Sequence, residues 1–115
     1  MRVNRERFET FAMEALEDLP YWVKHKIENL AVVIDEESAP AFSRPLLGLY
    51  QGVPVSERGT QYSGAIPDKI ALYKQAIEEM CRTEEEVKIV VRETVIHEFA
   101  HYFGFSEKKI RDAGY

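Results

Sequence analysis

Residues 95–105 read VIHEFAHYFGF, and their charge-bearing side chains are two histidines and one glutamate set among residues that ordinarily fill a core. His97 and His101 are four residues apart, so on a helix they stack on one face with ring nitrogens able to converge on a single point. Two neutral imidazoles placed this way bind one zinc ion at about 2.0–2.1 Å each. Glu98 stands one step round from His97, too poorly aligned to be an easy third ligand but close enough to reach a water on the metal. The order is H-E-x-x-H, with two ligands and a general base. A lone histidine beside apolar residues is usually a satisfied core side chain. Here two of the chain's three histidines and a glutamate fall into the required order. Burying them without a partner would cost about 1–3 kcal/mol for each polar group.

A catalytic zinc takes three protein ligands and leaves one position to water. The fourteen residues after His101 contain no histidine, but Gly104 allows a sharp turn and Glu107 follows three residues later. Its carboxylate can swing back toward the pair, extending the pattern to His97-Glu98-x-x-His101-x-x-Gly104-x-x-Glu107. Alternatively, Glu107 is an early residue of a short terminal helix capped by Ser106. Asp112 and Glu93 are weaker candidates, and Glu93, one turn before His97, suits a hydrogen bond to a ligand better than ligation. His25, Tyr50, Arg58 and Tyr62 are possible oxyanion donors, none of them assigned. Cys81 is the only cysteine, which excludes an internal disulfide and a cysteine-pair metal site. No base near it in sequence would make it a nucleophile.

The element that must present these groups has well-marked ends. Thr83-Glu84-Glu85-Glu86 reads as a capping box, with the Thr83 hydroxyl accepting from the Glu86 N–H and the Glu86 carboxylate accepting from the Thr83 N–H. The run continues without proline or glycine to Gly104, a residue that takes the left-handed helix stop cheaply. Val87, Val91, Val95, Phe99 and Tyr102 form one apolar stripe, with Ile96 and Phe103 on its flank, so this helix should run through the middle of the domain. Upstream, Phe8, Phe11, Ala12, Ala15, Leu16 and Leu19 mark an amphipathic helix that Pro20 interrupts, and PYWVKHKIEN allows a second, short one. Residues 30–34 (LAVVI) and 46–50 (LLGLY) read as strands. KIALY (69–73) reads as a third strand or as the lead-in to the helical QAIEEM. Residues 53–67 read as a long surface loop or loose hairpin.

With 115 residues, 45% hydrophobic and 30% charged, the chain fits one domain, residues 1–115. A net charge of −5 offers no general attraction to phosphate backbones or anionic lipid, so neither nucleic acid nor membrane is an expected partner. No apolar run approaches the roughly 20 residues of a membrane span. The opening MRVNRERFETF carries charge where a signal peptide is apolar, so a cytoplasmic location is expected.

The stretches LLGLYQGVPVSERG (46–59), IPDKIALYK (66–74) and TVIHEFAHYFGFSEKKIRDAGY (94–115), with the long motif at their centre, resemble the zincin-like metallopeptidases. More closely, the chain resembles very small bacterial proteins sometimes called minimal metallopeptidases. The resemblance implies His97, His101 and Glu107 as metal ligands and Glu98 as the motif glutamate. The third ligand is usually aspartate in that family, so Glu107 is a longer variant. It also implies an α+β fold: a small mixed sheet packed on the long helix, additional N-terminal helices, and an edge strand bordering a cleft. The motif is similar to that of the metzincins as well, but Met1, Met13 and Met80 all lie upstream of it, where no methionine turn could follow the site.

The leading function on this reading is a zinc-dependent peptidase acting on peptide or protein substrates, with Glu98 as base. Its rivals are a zinc-binding regulatory or partner-binding module and a plain structural domain. Two imidazoles and a carboxylate suit zinc, though iron, nickel or cobalt accept the same set.

Overall fold

The computed structural model describes residues 1–37, 46–59, 62 and 66–114. Helix α1 (Arg5–Glu17) begins at Asn4, whose side chain accepts from the Arg7 N–H at 2.7 Å, and ends before Pro20. Its apolar stripe is the expected one, with Phe8, Phe11, Ala12 and Ala15 buried. Pro20 then caps α2 (Tyr21–His25), where its missing N–H leaves no hydrogen bond unmade.

Three strands form a mixed sheet in the order β1-β3-β2. The first, β1 (Leu30–Asp35), runs parallel to β3 (Asp68–Tyr73), with Leu30 opposite Asp68. The second, β2 (Gly48–Gln51), is antiparallel to β3, with Tyr50 opposite Ile70. It starts two residues later than the LLGLY run suggests, since Leu46 and Leu47 precede the ladder. Central β3 is buried on both faces, which explains its near-continuous apolar text. Ile70 and Leu72 enter the main core, while Ala71 and Tyr73 pack with Ala76 in a smaller cluster on the other side. The two readings of KIALY both hold: Tyr73 ends the strand and caps α3 (Lys74–Glu79).

Helix α4 (Glu84–Phe103) touches α1, β2, β3 and α3, and so runs through the middle of the structure as its stripe requires. Val87, Val91, Val95 and Tyr102 are fully buried and Phe99 nearly so. Thr83 accepts from the Glu86 N–H at 3.1 Å as expected, but the Glu86 carboxylate reaches one residue further back, to the Arg82 N–H. Gly104 stops α4 at φ +100°, and a side chain there would also collide with Ser56. Ser56 belongs to a 3-10 turn, Val55–Glu57, so part of the stretch read as loop is a built element packed on the end of α4. Residues 60–61 and 63–65 of that stretch lie outside the described residues.

Candidate metal centre

His97 and His101 lie on the half-exposed side of α4, with 22% and 24% of their side-chain surface open. Their rings are 5.1 Å apart between centroids. The sharp turn at Gly104 leads directly into α5 (Glu107–Asp112), whose Ser106 cap accepts from the Lys109 N–H. Glu107 is therefore the first residue of a capped terminal helix. It also reaches back to the histidines, so the two readings of this residue are compatible. One oxygen, Oε1, lies 2.7 Å from Nε2 of His97 and 2.7 Å from Nε2 of His101.

Hydrogen bonding to His97, opposed by partial burial and reinforced by His101, pulls the Glu107 carboxyl down to about 2. Each Nε2 can donate to this oxygen in one tautomer or present a lone pair in the other. A metal needs those nitrogens as lone pairs, and the same atoms are already aimed at one point. The ligand atoms of His97, His101 and Glu107 all lie within 4.8 Å of one another, a group able to hold a metal ion. Two imidazoles and a carboxylate fit zinc in number and type.

Glu98 lies beside this group but points differently. Its Oε1 accepts from the Tyr50 N–H of β2 at 2.9 Å, and its Oε2 lies 4.0 Å from Nε2 of His97. The residue is 7% exposed. Burial raises its carboxyl above the ordinary range, with the two histidines and the Tyr50 N–H pulling the other way. Such a group is held in place at one oxygen, and the residue lines the cleft.

The contact that orients Glu98 depends on Gly48. A Cβ there would come 2.7 Å from Thr94 Cγ2, 3.0 Å from the Ala71 carbonyl and 3.2 Å from Glu98 Cγ. The Thr94 hydroxyl donates to the Val90 carbonyl at 2.7 Å, which fixes the methyl that would be struck. Gly48 thus lets β2 lie against α4. A glycine inside the apolar LLGLY run was the available sign of such an approach.

Beneath the cleft lies a buried polar network that sequence reading missed. Asp68, 3% exposed, accepts from the Tyr50 hydroxyl, from Arg58 Nη2 at 2.6 Å and from the Val53 N–H. Arg58 also donates to the carbonyls of Val53 and Glu28, with its guanidinium over the rings of Tyr62 and Tyr102. The Tyr102 hydroxyl donates to the same Glu28 carbonyl. Gly52 makes room for the carboxylate, since a Cβ there would overlap Asp68. An aspartate at the head of an apolar strand was the only sign in the text. Of the suggested oxyanion donors, Arg58 and the Tyr50 hydroxyl are therefore committed to Asp68. Tyr62 accepts from Asn29, and His25 stacks on Tyr21.

Glu93 lines the same cavity as the cluster, whereas Asp112 pairs with Lys108 and lies outside the group. Cys81 is buried, and burial raises its thiol, which makes it a poor nucleophile.

The fold thus sets a mixed sheet beside a helix that carries two histidines one turn apart, with a carboxylate returning to them beyond Gly104. A profile of the zincin-like metallopeptidases matches residues 27–115, and the chain belongs to that family. Among solved structures it is similar to a conserved hypothetical protein from Thermo thermophilus, at 20% identity and a TM-score of 0.62, covering 96% of this chain and 99% of that one. That likeness is one of fold. No curated protein matches significantly. Among the described residues, no helix is long and apolar enough to cross a membrane.

Proposed function

We propose that this chain is a zinc-dependent peptidase of the minimal bacterial kind, with His97, His101 and Glu107 as ligands and Glu98 as general base. The convergence of both imidazole Nε2 atoms on a single Glu107 oxygen carries the reading. Bound there, zinc would lower the pKa of a water toward about 7 and polarise a peptide carbonyl.

The chain's own residues supply the remainder. His97 and His101 sit in the last two turns of α4, and the Gly104 turn returns Glu107 to them. Glu98, anchored at Oε1 by the Tyr50 N–H, keeps Oε2 free to take a proton from water and pass it to the leaving amine. Because that anchor is a backbone amide on the sheet, the base keeps its position while its proton changes.

The test is zinc-loaded wild type against Glu98→Gln on a broad peptide library, with metal content measured in both. Expected is equal zinc and a loss of turnover of about 10²–10⁴-fold in the variant. Equal turnover, or none in either protein, refutes the peptidase and leaves a metal-binding module.

A further inference from the structure

Resting on the reading of His97, His101 and Glu107 as a metal centre, we propose that the buried pair of Arg58 and Asp68 positions it. By holding the chain on both sides of the Val55–Glu57 turn, the pair seats Ser56 against Gly104 and fixes the path that returns Glu107 to the histidines. Asp68 grips the turn from both ends. Before it, the Val53 N–H donates to Asp68 Oδ1 at 3.3 Å, and after it Arg58, the residue that closes the turn, donates to Asp68 Oδ2 at 2.6 Å. Arg58 also reaches back, its Nε donating to the Val53 carbonyl at 2.9 Å. Both backbone polar groups of Val53 are thus held by the two members of one ion pair. Pro54 alone separates Val53 from the turn; its ring sets φ at −53°, and its carbonyl accepts from the Glu57 N–H at 2.8 Å. Val55 packs on the main core. Little freedom is left to the turn.

The turn meets the metal centre at its backbone. Gly104 lies three residues after His101 and three before Glu107, and a Cβ on it would overlap the Ser56 hydroxyl, so the two residues are in van der Waals contact. The Gly104 and Phe105 N–H groups donate to the carbonyls of His101 and Ala100, which shapes the helix stop locally. Beyond it Ile110 is buried and Arg111 Nε lies 3.5 Å from Glu107 Oε2, so α5 has supports of its own. Ser56 ties this stretch to the sheet, through Asp68 at the head of β3. A second tie runs through Tyr102, the neighbour of His101. The Arg58 guanidinium lies over its ring, and both side chains donate to the Glu28 carbonyl. Pro54 lines the same cavity as His97, His101 and Glu107, so the held segment borders the site it positions. A buried ion pair is often no more stabilising than apolar residues of the same volume, and what Arg58 and Asp68 add here is direction.

Zinc affinity of the folded protein separates positioning from stability. Zinc is titrated in the cold, against a chromophoric chelator, into wild type, Arg58→Met and the double variant Arg58→Met/Asp68→Asn, which leaves no buried charge unpaired. Val87→Ala, a core change near the other end of α4, is the control for lost stability. Circular dichroism checks that each protein is folded. Expected is a Kd about 10–100-fold weaker in both variants of the pair, as when a ligand's outer support is removed, and an unchanged Kd in Val87→Ala. Cobalt(II) supplies a spectroscopic readout, since the strong visible absorption of a four-coordinate site should weaken in the same two variants. Ser56→Gly, at an exposed position where folding is not at risk, should lower affinity in the same direction and decides the matter if the pair variants unfold. Wild-type affinity in the double variant or in Ser56→Gly overturns the inference and leaves the metal centre standing, as does an equal loss in Val87→Ala. A wild-type protein that binds no zinc removes the metal centre and this inference with it.

Discussion

Replacing Asp68 by Asn tests whether the polar network beneath the cleft holds the sheet to the helix. Both partners are nearly out of water, with side-chain exposures of 9% for Arg58 and 4% for Asp68. Removing the charge leaves the guanidinium facing a neutral amide, the Tyr50 hydroxyl without its charged acceptor, and the Val53 N–H with a weaker one. Breaking one side of a buried pair costs about 3–5 kcal/mol. Because the amide still accepts one hydrogen bond, the lower end is expected, about 3 kcal/mol. At roughly 4 °C per kcal/mol for a domain of this size, the midpoint should fall by about 12 °C.

The assay is urea unfolding of wild type, Asp68→Asn, Arg58→Met and the double variant. The double variant should be less destabilised than the sum of the singles by about 2 kcal/mol, because it leaves no buried charge unpaired. pH supplies a second readout. Burial by itself would raise the Asp68 carboxyl, but the bonds from Tyr50, Arg58 and Val53 outweigh it and hold the group below 3.8. A depressed folded value means that this stabilisation is complete above about pH 4 and disappears as pH falls through the folded value. Asp68→Asn should therefore lose less stability than wild type below pH 4. An Asp68→Asn protein within about 1 kcal/mol of wild type, or an additive cycle, would refute this account of the network.

Further outcomes follow from the same geometry. Gly48→Ala should destabilise by about 1–3 kcal/mol, measured by urea unfolding, because the new methyl meets Thr94 Cγ2 at 2.7 Å and Thr94 cannot rotate away without losing its bond to Val90. Zinc at a thousandfold excess over its Kd should stabilise the wild-type protein by about 4 kcal/mol in a thermal scan, and chelator should reverse the shift. Glu107→Ala should abolish most of that shift, and a variant with an undiminished response would remove Glu107 from the ligand set. Thr83→Ala should cost about 1 kcal/mol by urea unfolding through loss of the α4 cap.

Local information made α4 legible. A capping threonine, an apolar stripe, a four-residue histidine spacing and a stop glycine each act within one or two turns, so text alone placed α4 and aligned its imidazoles. The α1 stripe and the apolar run of β3 were legible for the same reason. The spacing past Gly104 offered Glu107 as a third ligand beside its reading as an early residue of a capped helix, and the zincin resemblance added the sheet beside the helix.

Tertiary structure decided what depends on distant segments meeting. That Glu107 serves both as the first residue of α5 and as a partner of both histidines depends on the angle at which the chain leaves Gly104. That Glu98 is held by the amide of Tyr50 depends on β2 lying against α4, which Gly48 permits but does not announce. Asp68 and Arg58, ten residues apart, look like surface charges in the text and become a buried pair in the fold, with the guanidinium over the Tyr102 ring of α4. Periodicity reports which face of an element is buried, whereas the partner a buried charge finds is set by packing between elements, and no local pattern encodes it.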